Sequence, residues 1–328
     1  MSALRPHPHR GNVIAAGAVP LSVAGVLIEL RMHQWSLGPR FVVIVLVAGL
    51  ILAMGWLAPT EGAAPRTYQS ILLIAGLLPL IVALELLAEV LGARRPPGSG
   101  GVAWTFGAEA AVAAAAARRA RSGACTLIAA LALAVAVEGF VAWVFRPQGP
   151  GTFRGMLLVL ALALGAGAVR LRDGHRRHAV ALVNAAGLLT LLLALTYLVL
   201  AVLAPLLGSV SGGALVGPQA APFGWKLWVL IVGFGLIGYA AVDREPGPAY
   251  VGVALLAAFA LLAGAGATQR GSLVGWPLFL LVIGGAGIAI GMRPLRPLPP
   301  EPPMPGSSGV AGPAEPATVR LRDPEPPQ

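Results

Sequence analysis

Four glutamates lie inside long apolar runs, and these are the residues best placed in this chain to do chemistry. Glu85 and Glu89 are four residues apart, so on a helix they share one face. Glu138 falls in the second half of its run, and Glu109 is central in another. A carboxylate is expensive to hold in a membrane, so each is a pointer to an ion or proton pathway. Two on one face can share a proton, since burial and like-charge repulsion keep one of them protonated. That is how a proton or cation relay would be built. The structural alternative is interfacial pairing. Glu89 is close in sequence to Arg94 and Arg95, Arg146 follows Glu138 by about two helical turns, and long side chains reach the interface to neutralise such groups.

The other polar groups read as packing. Asn184, Thr190, Thr196 and Tyr197 share one long apolar run. Asn184 could coordinate a substrate, but such residues more commonly hydrogen-bond between helices. Lys226 is a candidate counter-ion for the glutamates; its place beside Trp225 and Trp228 is that of an interfacial anchor. Gly233-Phe234-Gly235-Leu236-Ile237-Gly238 spells a dinucleotide fingerprint, yet it lies within an apolar run with no strand before it, so the match is false. Gly287 and Gly291 have the spacing of a close helix contact. None of the five histidines (His7, His9, His33, His175, His178) forms a zinc-hydrolase pair. His175 and His178 flank Arg176-Arg177 in a turn where they are expected to be solvated. That basic turn could attract anionic headgroups, with setting the orientation of the chain as its simpler role. Cys125 is the only cysteine, so no intramolecular disulfide can form. The sequence therefore assigns no catalytic residue, cofactor or metal.

The elements that must position these groups follow from composition. The 328 residues are 57% hydrophobic and 11% charged, with mean hydropathy +0.81. A soluble domain carries about a quarter charged residues, which excludes an ordinary cytosolic enzyme. The formal charge of +10 is spread thinly between apolar runs, so no basic face for nucleic acid arises. The fold class is all-α: a polytopic transmembrane helical bundle.

A crossing needs roughly 20 apolar residues. Seven runs qualify: Phe41–Leu57, Gln69–Gly92, Ser122–Phe145, His178–Ala204, Phe223–Val242, Ala249–Thr268 and Ser272–Met292. Gly155–Val169 is a shorter eighth. Val13–Leu30, ending at Glu29, and the Ala-rich Val102–Ala117, with Glu109 at its centre, are ambiguous. With both, ten helices put 15 basic residues on the side of the termini and 8 opposite; without both, eight helices give 18 and 5. A loose internal repeat, in which four hairpins with short polar turns face the same side, favours ten. Both counts place the two termini in the cytoplasm. Val13–Leu30 is read as an uncleaved span.

The expected organisation is a cytoplasmic segment 1–12, a transmembrane helical domain 13–292 and a disordered Pro-rich cytoplasmic tail 293–328. Pro205–Pro222 is expected to be an uncharged outer loop. The stretches Ala241-Val242-Asp243-Arg244-Glu245-Pro246-Gly247-Pro248-Ala249-Tyr250 and Ser272-Leu273-Val274-Gly275-Trp276-Pro277-Leu278 give the chain a style that resembles the multi-span membrane proteins of uncharacterised activity in actinobacteria. The resemblance implies a bacterial inner-membrane location and brings no functional residues with it. The function expected is that of a non-enzymatic scaffold or accessory protein. The alternative is a small-solute or proton-coupled transporter using the intramembrane carboxylates Glu85, Glu89 and Glu138. The expected partners are the lipid bilayer and other membrane proteins or a second copy of the chain, with no nucleic acid.

Overall fold

Helices account for nearly all of the structure because a chain this apolar must satisfy its backbone polar groups within each segment. The computed structural model describes residues 10–31, 34–59, 67–93, 97–147, 149–211, 221–265 and 282, with the backbone alone for 200–211 and 264–265. Nine helices occur among the described residues: α1 (Gly11–Arg31), α2 (Leu37–Leu57), α3 (Thr67–Val90), α4 (Ser99–Ala120), α5 (Gly123–Phe145), α6 (Pro150–Leu171), α7 (Arg176–Ser211), α8 (Phe223–Asp243) and α9 (Pro246–Ala265). All belong to one unit, Met1–Gly271. The expected span Ser272–Met292, its Gly287/Gly291 pair and the tail 293–328 lie outside the described residues, as do Arg94, Arg95 and three of the histidines (His7, His9, His33).

Eight of these helices are long and apolar enough to cross a bilayer, and α1 is among them. The protein is a membrane-spanning helical bundle. The exception is α4, which is rich in alanine and has Glu109 at its centre. It nevertheless runs antiparallel to α5 along its whole length. A Cβ on Gly100 would lie 3.2 Å from the Trp143 ring at one end, and Ala116, Ala117 and Ala120 cluster with Cys125 at the other. Between them, Gly139 brings the two backbones together: a Cβ there would stand 2.9 Å from the Ala103 nitrogen. Small residues substitute close approach for hydrophobicity in this hairpin.

The odd-numbered helices all start at one face of the bundle. Gly11 of α1 meets the Tyr68 ring at the start of α3. Ser70 of α3 lies with its hydroxyl 3.3 Å from that of Ser122, the N-cap of α5. Gly123 of α5 touches the Arg177 carbonyl at the start of α7, and Asn184 of α7 packs on Gly247 at the start of α9. The even-numbered helices return to that face. The four hairpins α2–α3, α4–α5, α6–α7 and α8–α9 thus turn on the same side, as the internal repeat anticipates, and α1 and α4 traverse the same depth as their neighbours.

Several local expectations change. The short run at 155–169 belongs to a full-length helix of 22 residues, since Pro150 at its first turn starts it earlier and buries Arg154. The loop expected at Pro205–Pro222 begins later, because the apolar run carries the α7 backbone through to Ser211. Of the Gly233–Gly238 motif only Gly233 packs: Gly233 and Gly252 let α8 and α9 touch, with a Cβ on Gly252 only 2.8 Å from the Gly233 carbonyl oxygen, while Gly235 and Gly238 face open space. Three helices, α4, α5 and α8, end on arginines in the left-handed region, Arg121 (φ 52°), Arg146 (φ 47°) and Arg244 (φ 54°).

Candidate functional site

Of the four glutamates singled out by the sequence, Glu85, Glu89 and Glu138 are half-buried and Glu109 is buried; only Glu109 and Glu138 have both carboxylate oxygens buried without a hydrogen-bond partner, against one oxygen of Glu89. Glu85 and Glu89 share the second half of α3, where both are half-buried. Glu89 lies near enough to Arg40 of α2 for the charges to attract. Arg40 is held in turn by Glu29 of α1, its Nε donating to the carboxylate at 2.8 Å and its Nη2 making a second contact. This forked pair joins α1 to α2, and both residues are buried. Glu29 was only a boundary marker in the sequence; its partner, eleven residues on, becomes evident once the two helices pair.

Glu109 and Glu138 are different. All four of their carboxylate oxygens are buried without a hydrogen-bond partner. The pairing of Glu138 with Arg146 considered from the sequence does not form: both Glu138 oxygens lack a hydrogen-bond partner, and Arg146 is the exposed cap of α5. Gly139 packs beside Ala103, so Glu138 sits about five residues, roughly 8 Å along the axis, from the level of Glu109. Thr105, buried with its hydroxyl unsatisfied, lies between these levels, one turn from Glu109 on the same face of α4.

Glu109 is 1% exposed and reaches a cavity of about 370 Å³ bounded by α1, α3, α4 and α5. That is the size of a small-molecule site. Its wall is apolar apart from the Glu109 carboxyl and Ser22, whose hydroxyl is also buried and unsatisfied. Val19 and Leu78, 44% and 49% exposed, frame its mouth between α1 and α3. Pro20 and Pro79 lie at the same depth. Each removes one backbone hydrogen bond from its helix, which loosens α1 and α3 where the cavity opens. A carboxylate in such surroundings must be neutralised by a proton or by a cation.

The polar residues of α7 divide. Thr190 donates to the Ala186 carbonyl of its own helix at 3.0 Å, so it makes no bridge to another helix. Asn184 packs against α9 with its oxygen unsatisfied. Tyr197 is buried beneath the Arg154 guanidinium, 3.6 Å from ring centroid to Cζ, and packs beside Trp225. The same Arg154 donates from Nε to Thr196 at 3.2 Å. Arg154 escaped the sequence reading because it stands just before its apolar run. Lys226 is half-buried beside Trp225, the position of an anchor.

At the turn face, Arg172 donates to Asp243 at 2.9 Å and Arg176 bonds the Asp243 carbonyl oxygen, tying the α6–α7 turn to the end of α8. The hydrogen bond and the charge of the Asp243 carboxylate raise the pKa of Arg172 further. His178 is half-buried rather than solvated, its Nδ1 2.5 Å from the Thr126 hydroxyl. Among the described residues no three His, Cys, Asp or Glu side chains are grouped to hold a metal ion.

No family model, curated protein or solved structure matches this chain. The geometry alone carries the functional argument.

Proposed function

We propose that the protein is a non-enzymatic, proton- or cation-coupled membrane carrier, with Glu109 as the group that takes up and releases the ion. One observation carries this reading: a carboxyl with both oxygens unpaired stands in a solute-sized apolar cavity within the membrane-spanning bundle. Thr105 and Glu138 supply further unsatisfied oxygens at neighbouring depths, which extends a polar path along the α4–α5 hairpin. A structural role would favour the opposite arrangement, with each acid given a partner.

The orientation proposed places the turn face in the cytoplasm of a bacterial inner membrane. Nine of the described basic residues belong to that face and five to the other, and the positive-inside rule reads the richer side as cytoplasmic. The scaffold reading rests on the close Gly contacts within the α4–α5 and α8–α9 hairpins, which favour a rigid body over a moving one.

The test is proton flux in vesicles that contain the full chain, a trapped pH-sensitive dye and an imposed pH gradient. The wild-type chain is expected to dissipate the gradient at least tenfold faster than protein-free vesicles, and Glu109→Gln to abolish the excess while eluting and melting as wild type. Wild-type vesicles no faster than empty ones would overturn the carrier reading and leave the scaffold.

A further inference from the structure

Another cavity among the described residues lies at the turn face, and nothing in the carrier reading uses it. It measures about 720 Å³ and is formed where the α4–α5 turn meets the α6–α7 turn. Arg118, Arg121, His175, Arg176, Arg177 and His178 line it, together with Thr126, and no acidic residue does. Of the four arginines, only Arg176 has an acidic partner among the described residues, Glu245 at 4.0 Å, and it also bonds the Asp243 carbonyl. Arg118, Arg121 and Arg177 are exposed and make no ion pair among the described residues. Cations gathered round one hollow repel each other, and an anion within it relieves that repulsion.

Two further features point the same way. The first turns of α5 and α7 both open onto this cavity, through Thr126 and through Arg176 to His178. The partial positive charge at each of these helix starts adds to the field of the guanidiniums, while the N–H groups of Cys125, Thr126 and His178 are already bonded within their own turns. The floor, in contrast, is apolar: Ala114, Ala117, Ala129 and Leu171. The hollow is far larger than a lone phosphate needs and has an apolar side as well as a charged one.

We propose that this cavity is a binding site for a phosphorylated anion, held by Arg118, Arg121 and Arg177 over the first turns of α5 and α7. Arginine matches phosphate oxygens through its planar fork, and several around one site give the geometry that a diffuse basic surface lacks. The phosphate could belong to an anionic phospholipid headgroup, whose apolar part the floor would accept, or to a soluble phosphorylated compound.

Full-length protein in neutral detergent, followed by native mass spectrometry and thermal melting, tests the site and separates the sources. One arm adds phosphatidylglycerol with phosphatidylcholine as the reference lipid; the other adds inorganic pyrophosphate. Retention of phosphatidylglycerol over phosphatidylcholine assigns the lipid source, and a melting shift with pyrophosphate alone assigns the soluble one. In either case Arg118→Gln with Arg177→Gln is expected to weaken binding at least tenfold. Arg119→Gln with Arg170→Gln removes equal charge from the same face outside the cavity and is expected to change binding less than twofold. If the first pair does not fold, Arg121→Gln alone is expected to weaken binding at least threefold. Binding of neither probe, equal retention of the two lipids, or equal loss in both double variants overturns the proposal.

Discussion

Glu29 and Glu109 are the same residue type in two helices of one bundle, 5% and 1% exposed, yet their surroundings are opposite. Glu29 is near the end of α1 and is met by both arms of the Arg40 guanidinium. Glu109 is at the middle of α4 and meets an apolar cavity. Charge inside a membrane is therefore not in itself a sign of function. What distinguishes the two is whether the fold supplies a partner, and only the unpartnered acid is available to exchange one.

That contrast can be broken by substitution. The largest effect is expected at the paired acid. Arg40→Met takes from the buried Glu29 the guanidinium that ties α1 to α2, and should cost about 3 kcal/mol, the low end for a buried pair because this one lies near the helix ends. Thermal or denaturant unfolding of the detergent-solubilised protein measures it. Adding Glu29→Met to the same chain should restore most of the loss. An unchanged melting point in Arg40→Met would mean that Glu29 too is held without its partner.

At the unpartnered acid the sign reverses. Glu109→Leu removes two unsatisfied oxygens and fills apolar space, so it should stabilise the bundle by about 1–3 kcal/mol while abolishing the flux proposed above. A destabilised Glu109→Leu would show that the carboxyl serves packing, and the distinction from Glu29 would fall. The smallest effect serves as the reference for a charge that is neither paired nor buried. Arg244→Gly relieves a left-handed backbone at the end of α8, for a gain of about 1 kcal/mol in the same melting experiment. A loss of stability there would assign the Arg244 side chain a contact that outweighs its backbone conformation.

How much of this was legible in advance depends on how local each signal is. Helix positions were, because an apolar run of membrane length has one stable conformation in lipid, and eight of the nine described helices carry that signal. The placement of the hairpin turns followed from their shared pattern. Helix α4 was harder, because its place in the bundle lies in Gly100 and Gly139 fitting against α5 and not in its own hydropathy. The glutamates were visible as candidates, but the sequence weighted Glu85, Glu89 and Glu138 as the relay, whereas the cavity selects Glu109. That choice depends on Ser22, Leu78 and Glu109, which lie far apart in the chain and meet only through the packing of α1, α3 and α4. The basic hollow was half visible. The turn at 170–177 announces itself by charge, but its meeting with Arg118 and Arg121 is a tertiary fact.

The cavities also differ in when they can exist. All four helices around Glu109 lie within the first 145 residues, while the basic hollow also needs α6 and α7. As the chain emerges from the ribosome, each hairpin can close on itself soon after its second arm is made. The acid-bearing hollow would then be complete once α5 is in place, ahead of α6 and α7. From that point Glu109 must be accommodated by whatever occupies the hollow, before any helix of the second half has arrived. An ion or lipid drawn in at that stage would be the first ligand the protein meets, taken up during its own assembly.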